Sequence, residues 1–442
     1  MEQKKHKIKN ELFSSNNLKG LAKNIDTNIE SEKEPQTPKI GINKPNMGTG
    51  IKWTLDEQKS PSLSLKILNK EYDSYTRAVF STKIVSPLKS FAYNSFRGLY
   101  KEYNEDKVSV VFQIKKPSPT KMKSWPKISY FAIFDGHGGE TCSQFLKENF
   151  LNFLIENKNF PYDMKICLEE TFEKAEEEFF KQKCGDTLQE SDQSGSCALV
   201  AIIFDNKLYI ANIGDSRAIM SLNGGAKVKQ LSFDHKPNNL KEYERAIKNG
   251  SKVYIDDTDD LDRDESKLNF IKDKSEFDKY KKEEEEDKKE EIIFREYPSD
   301  LAVMRTIGDI KAKKKEFGGN PGTIINKPEI FVYDITSNDD FVIMGCDGIY
   351  DDLSNQEIVN AAWYIFKNES KNKNYDIHEL SGDACDMIIK YAMEKKTSDN
   401  LSCVIIGLEG LEKFLKHKSN KDKVSSTMNN FKKDFKKSKT IK

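Results

Sequence analysis

Residues 128–139 read ISYFAIFDGHGG. A run of aromatic and branched apolar residues of strand-forming character ends abruptly in an acid, a glycine and a histidine. Asp135 therefore stands at the end of a buried strand. The arrangement recurs elsewhere along the chain. Asp347 directly follows DFVIMGC, and Asp215 comes just after LYIANIG. Glu105 and Asp106 instead come just before VSVVF, and Asp399 just before LSCVIIGL. Three acids thus close strands and three open them.

In an antiparallel sheet, one edge collects the ends of strands running one way and the starts of those running the other. All six carboxylates can therefore converge on a single edge. Six clustered carboxylates repel one another and resist ionisation. Hard divalent cations relieve that repulsion, and all-oxygen ligation points to Mg or Mn over Zn. Asp135-Gly136 and Asp347-Gly348 are also ordinary turn dipeptides, and for a single acid the turn reading would suffice. His137 is the additional marker. It stands two residues after Asp135 between glycines, so the turn leaves its side chain exposed and lets the Gly136 carbonyl reach a metal. Histidine is the side chain best suited to donate a proton near neutral pH.

Other strand-like runs are KVSVVFQI, SCALVAIIF, KLYIANI, RAIMSL and EIFVYDI. Between them lie stretches with apolar residues three and four apart, such as ETCSQFLKENFLNFLIEN, DMKICLEETFEKAEEEFFKQ, SNQEIVNAAWYIFKN and DACDMIIKYAMEKK, the period of amphipathic helices. Strands come in groups and helices in pairs, which argues for an antiparallel α+β layered domain over an alternating βαβ fold.

The 442 residues carry 72 Lys+Arg against 72 Asp+Glu, with 36% hydrophobic and 33% charged residues. That polarity is reconciled by one normal domain, residues 86–410, carrying polar appendages. Residues 1–85 are expected to be a disordered extension, with Thr37-Pro38, Ser60-Pro61 and Ser86-Pro87 as proline-directed dipeptides. A charged insertion at 256–298 is expected to be a solvated helix or loop outside the core, and 411–442 a basic tail able to attract an anionic partner. Zero net charge removes any global attraction to nucleic acid, so none is expected from the core. No apolar run approaches a membrane span, and the N-terminus has neither a secretory signal nor a myristoylation glycine. Seven cysteines without a CxxC pair fit a reducing compartment. The expectation is a soluble intracellular protein, cytoplasmic, nuclear or both.

In order, KEYNEDKVSV, FAIFDGHGG, SGSCALVAIIF, LYIANIGDSRAIM, LSFDHKPNNLKEYERAIKNGSKV, LAVMRTIGD, INKPEIFVYDI, FVIMGCDGIYDDLSNQEIV and TSDNLSCVIIGL resemble the motifs of the metal-dependent protein serine/threonine phosphatases of the PP2C (PPM) family. The resemblance implies a four-layer α-β-β-α sandwich with a two-metal centre at one end. By position, Asp135 would bridge two Mg or Mn ions and the Gly136 carbonyl would bind the first. Asp347 and Asp399 would hold the second, and Glu105 and Asp106 would act largely through water. Asp215 and Asp351 match a weaker third site. A water or hydroxide between the metals would attack phosphorus in line, and His137 would protonate the departing serine or threonine oxygen. A monomer acting on phosphoprotein substrates is expected.

The chain departs from the family's pattern at three places. Lys101 stands where the family usually has the phosphate-binding Arg, which keeps the charge and loses the bidentate fork; Arg97 is nearby but off the spacing. Cys197 replaces a common Thr and reads as packing. The 256–298 insertion falls where the family has a mobile flap. The alternative reading is a pseudophosphatase that only binds phosphoproteins; the presence of Asp135, Asp347 and Asp399 favours the enzyme.

Overall fold

A computed structural model describes residues 65–117, 124–256, 268–286, 292–368 and 375–417. The strand of the quoted stretch, Ile128–His137, is buried along almost its whole length. Its residues divide strictly by parity. Phe131 and Ile133 face one apolar cluster, while Tyr130, Ala132 and Phe134 face another. Its neighbour Gly195–Phe204 repeats the split, with Leu199, Ala201 and Ile203 on one side and Ala198, Val200 and Ile202 on the other. Period-two alternation with both faces apolar belongs to a sheet covered on both sides.

We label the main strands β1 (Ser90–Phe96), β2 (Lys107–Val111), β3 (Ile128–His137), β4 (Gly195–Phe204), β5 (Lys207–Ile213), β6 (Arg217–Leu222), β7 (Lys227–Gln230), β8 (Lys252–Asp256), β9 (Asn269–Phe270), β10 (Ile293–Tyr297), β11 (Glu329–Asp334), β12 (Asp339–Gly345) and β13 (Leu401–Gly407). One sheet runs β11-β5-β4-β3-β2, and the other runs β1-β13-β12-β6-β7, with the short strand Val79–Phe80 beyond β1. The labelled strands all pair antiparallel. Between the sheets, Phe131, Ile133 and Leu199 meet Ala218, Met220, Val342 and Val404 in one core.

Two helix pairs cover the outer faces. Thr141–Glu156 (α1) and Met164–Lys183 (α2) bury Phe145, Phe150, Phe172 and Phe179 against Phe134 and Val200. Asn355–Asn368 (α5) and Ile377–Lys395 (α6) cover the second sheet with Ile358, Trp363, Ile388 and Ile389. The expected four-layer α-β-β-α sandwich is thus the observed architecture.

The charged insertion differs from expectation. Leu240–Lys248 (α3) and Lys274–Glu286 (α4) flank a third sheet of order β9-β8-β10. Phe277 stacks on Tyr243 at 4.3 Å, and Ile271, Phe277 and Phe294 bury against Val253, Ile255 and Met304. Widely spaced apolar residues suffice for a small core when neighbouring segments supply the rest, so the insertion's described part is not simply solvated. Residues 257–267 and 287–291 lie outside the described residues.

Order also begins upstream of residue 85. The buried Asp386 carboxylate accepts from Tyr75 Oη (2.7 Å), the Ala78 N–H (2.9 Å) and Asn94 Nδ2 (2.9 Å). At the other end, Leu411 and Leu415 are buried and Phe414 packs on Trp363, ring centroids 4.8 Å apart. The rest of the N-terminal extension, residues 1–64, and the tail beyond residue 417 lie outside the described residues. All seven cysteines are free. Among the described residues, no helix is long and apolar enough to cross a membrane.

Candidate metal centre and active site

Register brings the acids to one edge. Asp135 sits opposite Cys197, and Lys107, directly after Asp106, opposite Phe134. On the other sheet, the end of β12 is tied to the start of β13. The Cys346 N–H donates to Ser402 O at 3.2 Å, Cys346 Sγ donates to Asn400 O at 3.3 Å, and Thr397 Oγ1 donates to Gly348 O at 2.9 Å. Asp347 and Asp399 are therefore neighbours across the strand pair.

Each acid has its own support. Ser216 Oγ donates to Asp135 Oδ2 at 3.2 Å, and Ser402 Oγ donates to Asp106 Oδ2 at 2.8 Å, joining the two sheets. The Glu105 carboxylate accepts from the Gly139 N–H at 2.7 Å, and its own N–H donates to Asn400 Oδ1 at 2.8 Å. Gly136 is required at its position, because a Cβ there would lie 2.5 Å from Glu105 O and 2.8 Å from Ser143 Oγ.

The carboxylates are electrostatically unsatisfied. Burial, followed by repulsion from Asp347, Asp106, Asp215 and Asp399, holds Asp135 well above the ordinary range. Burial and then Asp215, Asp351 and Asp399 do the same to Asp347. Asp106 is raised to about 6, chiefly by burial. Asp215 is raised by burial against the opposing pull of Lys236. Such a cluster is the donor set that a hard divalent cation completes. The residues fit a hard divalent cation.

Among the described residues, Asp135, Cys197 and Asp215 bring one ligand atom each to within 4.8 Å of the others. Cys197 Sγ donates to Asp215 Oδ1 at 3.4 Å. The packing reading of Cys197 was therefore incomplete: the thiol is buried, and it also faces the acids.

Two lysines and one histidine border the cluster. Lys101 Nζ lies 2.9 Å from Asp399 Oδ1 and 3.9 Å from Glu105 Oε2. Arg97 Nη1 is committed to Lys101 O at 2.6 Å, so it orders the loop and leaves the positive charge to Lys101. Lys236 Nζ lies 3.1 Å from Asp351 Oδ1 and 3.7 Å from Asp215 Oδ2, which joins the two acids expected at a third site. Its loop is clamped by Arg217, whose Nε donates to Asp234 Oδ1 at 2.9 Å.

His137 Nε2 lies 3.0 Å from both Oδ1 and Oδ2 of Asp309, with 31% of the His137 side chain exposed. Burial alone would lower the imidazole, but the Asp309 charge and hydrogen bond outweigh it, and the net shift is upward. Asp309 responds in kind: burial would raise it, and the His137 charge brings it below the ordinary value. Neither Asp309 nor Lys236 was singled out from sequence. They stand in LAVMRTIGD and SFDHKP, but Asp309 meets a group 172 positions away and Lys236 bridges Asp215 to Asp351, 115 positions beyond it, so the pairings are not visible in the local sequence.

A family model described as Protein phosphatase 2C matches residues 101–401. A probable protein phosphatase 2C 27 of Arabidopsis thaliana is 30% identical over 278 residues, 63% of this chain and 58% of the relative. A probable protein phosphatase 2C 54 of Oryza sativa subsp. japonica is 28% identical over 307 residues, covering 69% of each chain. The first match thus spans under two thirds of its relative's length. Among solved structures, a serine-threonine phosphatase 2C from Toxoplasma gondii superposes with a TM-score of 0.52 at 18% identity, covering 75% of this chain and 98% of that one. At that identity the likeness speaks for the fold. The sandwich, the acids at one sheet edge and the match across 101–401 agree: this chain belongs to the protein phosphatase 2C family.

Proposed function

We propose that this protein hydrolyses phosphoserine and phosphothreonine in proteins with the help of Mg or Mn. The observation that carries the reading is the buried, mutually repelling cluster of Asp135, Asp347, Asp215 and Asp106, with His137 at its rim. Asp135, the Gly136 carbonyl, Asp347 and Asp399 would hold two ions, with Glu105 and Asp106 beside them and Asp215 and Asp351 at a weaker third position. When bound, the ions supply Lewis acidity that makes a water nucleophilic near neutral pH.

The chain's own groups do the rest. Lys101 offers one positive charge to the non-reacting phosphate oxygens, as a point donor without the guanidinium fork. Water adds to phosphorus as the bond to the serine or threonine oxygen breaks, and His137 gives that oxygen its proton. Asp309 holds the imidazole by Nε2 and favours its protonated form. The products are the free hydroxyl side chain and inorganic phosphate, with no phosphoenzyme. All three core aspartates lie at one edge, which supports the enzyme over a phosphoprotein-binding pseudophosphatase.

The test is phosphate release from a phosphothreonine peptide, before and after chelation and on restoring Mn. Release that stops with chelator and returns with metal supports the reading; release indifferent to chelator contradicts it.

A further inference from the structure

Twelve large hydrophobic residues are markedly exposed among those described, and three of them fall within residues 99–103. Leu99 is 39% exposed, Tyr100 62% and Tyr103 54%. They bracket Lys101, whose ammonium lies 2.9 Å from Asp399 Oδ1. Adjacent Cα atoms are about 3.8 Å apart, so these side chains start within about 8 Å of the Lys101 backbone.

The segment is not a loose loop. Asn400 Nδ2 donates to Arg97 O at 2.9 Å and to Tyr103 O at 3.2 Å, and Arg97 Nη1 donates to Lys101 O at 2.6 Å. Gly98 packs so closely that a Cβ on it would lie 2.2 Å from Asp399 O. The backbone that carries the exposed rings is thus stapled to the residues at the start of β13. Tyrosine on a fixed backbone supplies large amphipathic contact area at little entropic cost. Three exposed apolar side chains within five residues offer contact surface to a partner that reaches Lys101. Its place beside the phosphate-facing cation indicates which partner meets it.

Resting on the phosphatase reading, we infer that Leu99, Tyr100 and Tyr103 receive the side chains flanking the phosphorylated residue, and that the protein selects phosphopeptides with aromatic or aliphatic neighbours.

The experiment compares two phosphothreonine peptides of equal length and charge, one flanked by Leu and Phe and the other by Gly and Ser. It uses the full-length protein and a Tyr100→Ser/Tyr103→Ser variant, with p-nitrophenyl phosphate as a flank-free substrate. The wild type is expected to show kcat/KM about tenfold higher for the apolar flanks, the scale of burying an apolar side chain. In the variant the ratio falls to about one while p-nitrophenyl phosphate turnover is unchanged. Equal use of both peptides by the wild type, or a preference that survives in the variant, overturns the inference alone. A wild-type dimer that dissociates in the variant assigns the surface to a second copy and overturns it too. No turnover of p-nitrophenyl phosphate by the metal-loaded wild type overturns the phosphatase reading, and the inference with it.

Discussion

His137 Nε2 sits 3.0 Å from each carboxylate oxygen of Asp309, a residue 172 positions away in the chain that enters a left-handed backbone conformation at φ 51° directly after Gly308. The Asp309 N–H is fixed to Ser194 O at 3.1 Å, next to the residue that β4 pairs with His137. His137 and the carboxylate that holds it are therefore anchored by neighbouring residues of one strand.

Asp309→Asn separates proton donation from the rest of the chemistry. Loss of an oriented general acid costs roughly 100-fold or more in turnover where the leaving oxygen needs a proton. Phosphothreonine-peptide kcat is expected to fall by that scale. Hydrolysis of p-nitrophenyl phosphate, whose leaving group departs unprotonated, is expected to change far less. Equal losses on both substrates would refute the assignment.

Without metal, the acid cluster destabilises the fold at neutral pH. Asp135 and Asp347 are held well above their ordinary values in the folded state. The native state then binds more protons than the unfolded chain between about pH 4, the unfolded value, and the raised folded values. Stability from these groups is lost as pH rises through that window. In chelator at pH 7, Asp347→Asn is expected to melt above the wild type, because it removes a carboxylate that burial and its acidic neighbours disfavour. The gap should narrow toward pH 5. Saturating Mn should reverse the order, because only the wild type keeps the full ligand set. Thermal melts under the three conditions check this.

Lys101→Arg restores the fork that the chain lacks. Guanidinium binds phosphate through two parallel hydrogen bonds where ammonium offers a point charge. Inhibition by inorganic phosphate is expected to strengthen several-fold in Lys101→Arg and to weaken in Lys101→Met. No change in either variant would remove Lys101 from the phosphate site.

The sandwich strands were legible because β3, β4 and β12 are continuous apolar runs, and the edge where the acids gather because each acid stands at the end or the start of a strand-like run. β1 was not among the strands recognised. Its inward face includes Ser90 and Asn94, which break the apolar alternation and are satisfied by Ser381 and Asp386 respectively. The third sheet was hidden for a related reason: Phe277 stands among charged residues and finds its partners in α3 and β10, through Tyr243 and Phe294. Asp309 and Lys236 contribute through space, and nothing in their immediate neighbours indicates which group they meet.

Asp386→Ala tests the upstream extension of the fold. It would leave the Tyr75 hydroxyl and the Ala78 N–H without their acceptor and take from the Asn94 amide one of its three, Thr76 O and Tyr75 Oη remaining, at a cost of about 3 kcal/mol. The urea midpoint should drop accordingly, while kcat at a temperature where the variant stays folded should not. A midpoint within error of the wild type would show that residues 75–78 are not anchored there.

Mn titration of the full-length protein, reading metal bound and phosphothreonine-peptide turnover in the same samples beside Asp135→Asn, tests the metal-dependent chemistry most directly. The expected result is turnover that rises with the filling of at least two sites in the wild type. In Asp135→Asn both tight binding and turnover are lost while the protein remains folded. Turnover in the wild type without bound metal, or undiminished turnover in Asp135→Asn, would contradict it.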